Sequence, residues 1–442
     1  MRRKIDSVLL DNLQKELSST SGKKWQTYQC TLVTPMYGGG VKAGEVDKEM
    51  PIRASSIRGQ LRFWWRIACG HKDPEELLKQ ETAIWGGIGD EGATASKVEI
   101  RVSNVDFKGE VAAFEYERHY KDHNKFKTVP KPDSNLGHAY ALFSAQGKLS
   151  KDKAAIEALP HKIAKTGLFF ELQLNFKTHI EGALISEQIS EVKEAIRWWA
   201  SFGGVGSRTR RGLGAVKVSG EGITPVTQDE VQARGGVLAL VSRNGKPETD
   251  SHAVVCWRYG CDKLRDFRQA KNVGRNPPKS DSKSPAGQSR WPEANSVRNL
   301  AGTHSKKHPP SDPKTNFFPR ASFGLPIIFH FQQDSGPGRE PDDHTLKVAD
   351  KDKERMASPL ILRPYYNGKH WESAALLLPD WHYALHQSLE LSPKPKNVED
   401  KPMHWSFSPE QQKQLVEKNK PMQGRPNDPL SAFLDYFKEG NL

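Results

Sequence analysis

The chain has 442 residues, 36% of them apolar, with 11 tryptophans and 18 phenylalanines, enough for two or three cores rather than one. Its 66 Lys and Arg against 53 Asp and Glu leave a formal charge of +13, which points to a polyanionic partner, most commonly nucleic acid. Four cysteines in this length exclude a disulfide framework. Cys256 and Cys261 are the one close pair, and without a second pair no zinc site, metal or cofactor is expected. No apolar stretch approaches a membrane span and the N-terminus lacks a signal-peptide core, so a cytoplasmic protein with no membrane contact is expected.

In chain order, Ile5, Leu9, Leu10, Leu13 and Leu17 recur at helical spacing and predict an N-terminal helix within residues 1–25. "TYQCTLVTP" reads as a strand stopped by Pro35 and is followed by the glycine-rich turn "MYGGGVKAGEVDKEMP". Ser55 or Ser56 can N-cap a helix running to about Cys69, where Gly70 stops it. "SKVEIRVSNVDF" and "GLFFELQLNF" alternate as half-buried strands do. "SEQISEVKEAIRWWASFG" is helical, and "LGAVKVS" is a last strand.

Strand, helix, strand, strand, helix, strand is the split βαβ, or ferredoxin-like, order. A first such domain is expected over 26–222, its four antiparallel strands carrying both helices on one face. The piece near 108–166 is too long for an ordinary connection, and "KDHNKFKTVPKPDSNLGHAY" within it reads as a protruding functional loop. "GGVLALVS", "HAVVCWRY", "GLPIIFHFQ", "ASPLILRPYY" and "ESAALLLP" read as strands of a second, more irregular domain over 235–390. Its polar stretches near 272–315 and 332–354 are disorder-prone. A tail over 391–442 ends in the short amphipathic helix "DPLSAFLDYFKEG".

Two constellations carry charge without compensation. "MPIRASSIRGQLRFWWR", residues 50–66, has no acid from Pro51 to Arg66. On a helix, Ile57, Leu61, Trp64 and Ala68 form the core stripe, while Arg58, Arg62 and Arg66 line the other side at spacing four, where like charges repel. A solvated basic face is one reading. A guanidinium ladder for phosphates is the other, with Arg53 beside it and Ser55 and Ser56 adding donors at the helix N-terminus. Trp64 and Trp65 read as core, with Trp65, at the stripe's edge, the one candidate for base stacking. "GGVGSRTRRGLG", residues 203–214, places Ser207, Arg208, Arg210 and Arg211 among glycines that include Gly204 and Gly206. Such a loop forms an anion-binding concavity, and it is neither a Walker A loop nor a dinucleotide fingerprint.

These same residues resemble a known family. "TPMYGGG" followed by "MPIRASSIRGQLRFWWR" resembles the opening of the RAMP subunits of type III CRISPR effectors, most of all the first RAMP subunit of the type III-B (Cmr) complex. "WGG" at 85–87 resembles that family's aromatic-glycine element, and residues 203–214 its closing glycine loop. "RWPEANSVRNL", "FPRASFGLPIIFHF" and "RMASPLILRP" are similar to the second half of the same subunit. The resemblance implies an α+β fold of two tandem ferredoxin-like, RRM-related domains with long inserted loops. It implies a non-catalytic subunit that holds the 3′ region of the CRISPR RNA and its paired target RNA beside other Cmr subunits. Arg290, Arg298, Arg320 and Arg355 stand next to the later motifs and are expected to form a second basic surface, although Arg320 could equally anchor a turn.

The alternative is a metal-independent endoribonuclease on the same fold, processing CRISPR RNA. That chemistry needs a general acid and base, usually His, Tyr or Lys. Neither basic element contains a histidine; His71 lies just past the first helix, and His119, His123 and His138 lie in the insert. Metal-dependent cleavage would need clustered carboxylates, which the basic elements lack. Duplex DNA binding would call for a groove-reading motif, and none appears.

Overall fold

The computed structural model describes residues 25–89, 92–130, 138–178, 183–242, 249, 251–278, 287–309, 316–333, 338–350, 352–353, 355–393, 402, 409–418 and 420–440. The helix expected within 1–25 lies outside the described residues.

The first half contains β1 (Gln26–Leu32), α1 (Ala54–Ala68), α2 (Pro74–Trp85), β2 (Val98–Asp106), β3 (Phe114–His119), β4 (Asp122–Pro130), β5 (Phe169–Phe176), α3 (Ser186–Phe202) and β6 (Val216–Ser219). Four of the strands form an antiparallel sheet in the order β6-β1-β5-β2. Cys30 of β1 sits opposite Phe170 on one side and Val218 on the other. The four strands of this sheet together with α1 and α3 follow the order strand, helix, strand, strand, helix, strand.

Alternation along the strands puts Tyr28, Cys30, Leu32, Phe170, Leu172 and Leu174 on one buried face. The stripes of α1 and α3 cover it, with Trp64, Trp65, Trp198 and Trp199 all buried in a shared core. Trp64 and Trp198 stand 6.4 Å apart between ring centroids. Trimming any of these tryptophans to alanine would cost roughly 3–5 kcal/mol. Trp65 is wholly buried and its indole N–H donates to Glu191 at 3.0 Å, so it is no stacking platform.

The second half contains β7 (Val237–Ser242), α4 (Ser251–Gln269), α5 (Glu293–Ala301), β8 (Leu360–Tyr366), β9 (Trp371–Leu377) and α6 (Pro429–Lys438). Its main sheet is antiparallel in the order β7-β9-β8. Every residue of β9 is buried, because the sheet is covered on both faces. Ala374 and Leu376 enter the core under α1 and α3, while Ala375 and Leu377 enter a second core with Phe267 of α4 and Phe433 of α6. That double burial is why "SAALLL" reads as a continuous apolar run. A smaller sheet joins Ile327–Phe329, His344–Val348 and Leu389–Ser392.

Two expectations change here. "HAVVCWRY" is part of a 19-residue helix, not a strand. Ala253, Cys256, Trp257, Cys261, Leu264 and Phe267 continue one buried stripe past that octet, and helical spacing wins over its β-branched content. Within 272–315, described residues 287–309 are folded: α5 is capped by Gly302 in the left-handed region, and Trp291 is buried beside Phe267 at 5.2 Å. One tryptophan and the Val297, Leu300 stripe anchor a stretch whose average composition is polar. The 332–354 stretch likewise contributes the His344–Val348 strand.

Candidate nucleic-acid interface

Three segments of the first half converge on a cleft of about 470 Å³: the glycine-rich turn at 39–44, the N-terminal half of α1, and the glycine loop at 205–207. Ser207 N–H donates to the Tyr37 carbonyl at 2.7 Å, which fastens loop to turn. Gly206, at φ +76°, packs so close that a Cβ there would lie 2.6 Å from Met36 Cγ, so neither its conformation nor its space admits a side chain. The polar and charged lining includes Lys42, Arg53, Ser56, Gln60 and Ser207, with no carboxylate among the lining residues. Arg53 Nη2 donates to the carbonyls of Gly39 at 2.6 Å and Gly40 at 3.1 Å, bracing the turn from beneath.

Helix α1 starts two or three residues earlier than expected, with Arg53 as its N-cap. Ser55 and Ser56 are therefore exposed first-turn residues, not caps. The ladder also needs correction. Arg62 Nε donates to Glu81 Oε1 at 2.6 Å, and Arg66 grips both oxygens at 2.7 Å. Glu81 comes from α2, a helix the sequence reading passed over although Asp73, Pro74, Glu75 and Glu76 spell an N-terminus. Burial opposes the Glu81 charge, yet the hydrogen bonds from Arg66 and Arg62 outweigh it and hold the carboxyl below its usual range. Arg58 is half-buried, and its Nε has no hydrogen-bond partner among the described residues.

The glycine loop divides its arginines. Arg208 is exposed, sits in the left-handed region at φ +61°, and donates from Nη1 to Ser144 Oγ at 3.1 Å. A non-glycine residue held there is strained, as residues at binding sites often are. Arg210 and Arg211 turn away from the cleft. Arg210 donates to the Ser358 carbonyl, and Arg211 to those of Leu360 and Phe323 at 3.3 Å. Burial pushes the Arg211 guanidinium down to about 10. Gly204 is buried below the loop, where a Cβ would meet the Gly214 carbonyl at 2.7 Å.

Arg363 of β8, inside the run read as "LILRPYY", escaped the sequence reading. Its buried guanidinium donates to the carbonyls of Pro364 at 2.7 Å, Gly203 at 2.8 Å and Val216 at 3.3 Å. Burial lowers it to about 9. The root of the glycine loop is thus pinned by a cation from the other half of the chain.

The second basic surface does not assemble as expected. Arg298 pairs with buried Glu340 at 2.7 Å, and Arg320 with wholly buried Glu293 at 3.1 Å, the turn-anchoring alternative. Arg290 donates to Asn276 Oδ1 at 3.0 Å and to the Asn272 carbonyl. Arg355 is exposed. Among the described residues no group of three or more His, Cys, Asp or Glu is placed to hold a metal ion, and no helix is long and apolar enough to cross a membrane.

The insert also reaches this cleft. Tyr37 and His161 meet edge to face with centroids 6.0 Å apart, and His161 lies against Gly44 of the glycine turn. The Tyr37 hydroxyl donates to the Ser144 carbonyl at 3.1 Å. Contacts this distant in sequence carry no local signal.

No curated protein matches the sequence. Among solved structures, the chain is similar to the apo form of Cmr1 from Pyrococcus furiosus at 16% identity and a TM-score of 0.37, covering 80% of this chain and 88% of that one. It is also similar to a chain of the Type III-B Cmr-beta complex bound to cognate target RNA and AMPPnP in the presence of ssDNA, at 10% identity and a TM-score of 0.40, covering 94% of this chain and 99% of that one. The sequence profile of the RAMP superfamily matches residues 29–217, which hold the glycine turn, α1 and the glycine loop that build the cleft. The similarity of this chain to the RAMP superfamily thus spans residues 29–217.

Proposed function

We propose that this chain is a non-catalytic, RNA-binding subunit of a type III-B CRISPR ribonucleoprotein, holding the 3′ region of the CRISPR RNA and its paired target RNA beside other Cmr subunits. The observation that carries this reading is the cleft between glycine turn, α1 and glycine loop, cationic and free of carboxylates along its lining. Glycines there let backbone donors approach a phosphate closely, Arg53, Ser56 and Ser207 line it, and the exposed Arg208 follows Ser207 in the loop. The RAMP match over the same segments supports it. Of the residues expected to touch RNA, Arg53, Ser55, Ser56, Arg58, Gly206, Ser207 and Arg208 keep that role. Arg62 and Arg66 share theirs with Glu81, Arg210 and Arg211 hold the two halves together, and Arg355 stays a candidate on the second half.

The endoribonuclease alternative gains a histidine against the turn that carries Lys42 of the lining and loses the adjacent tyrosine. His161 reaches the rim, but the nearby Tyr37 is buried and its hydroxyl is engaged by the Ser144 carbonyl. General acid–base cleavage needs two groups within reach of the scissile ribose. Co-expression with the genomic neighbours, followed by sequencing of copurified RNA, tests the assignment. In binding assays with guide-length RNA, Arg208→Gln should flatten the salt dependence by about 0.7 log unit per log unit of salt. The purified chain should leave RNA intact with or without magnesium. A cleaved product, or an unaltered slope for the variant, would overturn the reading.

A further inference from the structure

The insert presents an aromatic ring where a strand following the cleft would need one. A 3₁₀ turn, Phe143–Ala145, is pinned from several sides. The Ser144 carbonyl accepts from the Tyr37 hydroxyl at 3.1 Å, Ser144 Oγ accepts from Arg208 at 3.1 Å, and the Ala145 carbonyl accepts from His161 N–H at 2.9 Å. Leu142 and Ala145 are wholly buried in a small core with Tyr37, Leu213 of the glycine loop and Trp257. Phe143 itself is 68% exposed. A single exposed phenylalanine is ordinary on most surfaces. The turn that carries this one is fixed, one residue from the side chain that anchors Arg208, which follows Ser207 of the cleft lining. A preordered ring beside phosphate-binding groups is the arrangement that single-stranded nucleic acid uses, stacking a base on the ring while its backbone lies along the cations.

We propose that Phe143 is the stacking platform for an unpaired base of the RNA whose phosphates follow the glycine loop. This rests on the RNA-binding reading above and adds to it a nucleotide position: the base next to the phosphate held by Ser207 and Arg208. Stacking tolerates any base, so Phe143 contributes affinity and register without sequence preference. A protein surface could also cover Phe143, but the neighbouring guanidinium and the carboxylate-free cleft favour a polyanion.

The test uses the full chain and single-stranded RNA of guide length carrying 2-aminopurine at successive positions. Phe143→Ala should weaken binding between about fivefold and about a hundredfold, the range for loss of one base–aromatic stack. The salt slope and melting temperature should stay unchanged, Phe143→Trp should restore affinity, and one 2-aminopurine position should lose its quenching in Phe143→Ala. Leu159→Ala, at a 74% exposed aliphatic position of the same insert, is the control and should bind as wild type. If Phe143→Ala binds RNA normally while Arg208→Gln still flattens the slope, the platform falls and the cleft stands. If neither variant changes binding, both readings fall. Loss of subunit copurification by Phe143→Ala with RNA affinity intact would assign the ring to a protein contact and overturn the proposal.

Discussion

Arg66 closes a two-point grip on Glu81, Nε to Oε2 and Nη2 to Oε1 at 2.7 Å each, and Arg62 reaches the same carboxylate from the turn before. Glu81 is 3% exposed, whereas the Arg62 and Arg66 side chains are 32% and 44% exposed. The carboxylate is therefore structural, and the guanidiniums retain a face toward solvent. Glu81→Gln should lower stability by about 1.5–3 kcal/mol, the range for a charged hydrogen bond, in chemical denaturation. It should also steepen the salt dependence of RNA binding by about 0.7 for each arginine set free. A loss of stability with an unmoved slope would leave both arginines as packing groups.

Gly59 stands in the interior of α1 and lines the cleft, and a Cβ there would meet nothing within 4 Å. Alanine should stabilise the helix by about 0.5–1 kcal/mol. In the same variant RNA affinity should fall, because the added methyl narrows the cleft. A variant that is more stable and binds equally well would show that this wall does not touch RNA.

Arg363→Met should destabilise the chain by on the order of 3 kcal/mol, since several buried carbonyls lose their donor. The pH dependence has a definite sign. Burial holds the folded-state value near 9, below that of the unfolded chain, so above pH 9 the unfolded chain binds more protons and folding gains. The stability gap between wild type and Arg363→Met should therefore widen as pH rises above about 9, read by denaturation across that range.

Glu340 gathers Arg298 at 2.7 Å, Ser305 at 2.7 Å and His308 at 2.9 Å around a 2% exposed carboxylate. Burial opposes its charge, but the hydrogen bonds from Arg298, Ser305 and His308 win and lower it from 4.5 to about 2. A carboxylate depressed on folding stabilises above its unfolded value, and that contribution drains as pH falls from about 4.5 toward about 2. Glu340→Gln should be less stable at pH 7 and flatter through that acid window. Parallel curves for the two proteins would assign the acid sensitivity elsewhere.

What could be read in advance was whatever repeats locally. The stripe Ile57, Leu61, Trp64 and Ala68 gives α1 its helix and its buried face, and alternation gives β1, β2 and β5. Pairings that close over distance leave no such trace. Glu81 meets Arg62 across 19 residues, Arg208 meets Ser144 across 64, and Arg363 meets Gly203 across 160. Arg211 looked like a phosphate ligand because its neighbours are glycine and arginine, yet its donors face the carbonyls of Leu360 and Phe323. The residues that face outward and those that face inward on this loop differ by one or two positions, and only the partner strand decides which is which.

The stack of Phe202 on Tyr365, 5.8 Å apart and 13° from parallel, joins α3 to β8, and Arg210, Arg211 and Arg363 tie the glycine loop to the same region. The loop's shape is therefore written in two places, half in its own glycines and half in residues more than a hundred positions later. A fragment ending after β6 would keep every loop glycine and lose the scaffold that sets them. It would also bare the apolar surface of α3 that faces Tyr365. Grafting this loop onto another scaffold, or swapping first halves between relatives, would carry the letters of the binding site without its spacing, unless β8 and its buried arginine travelled with them.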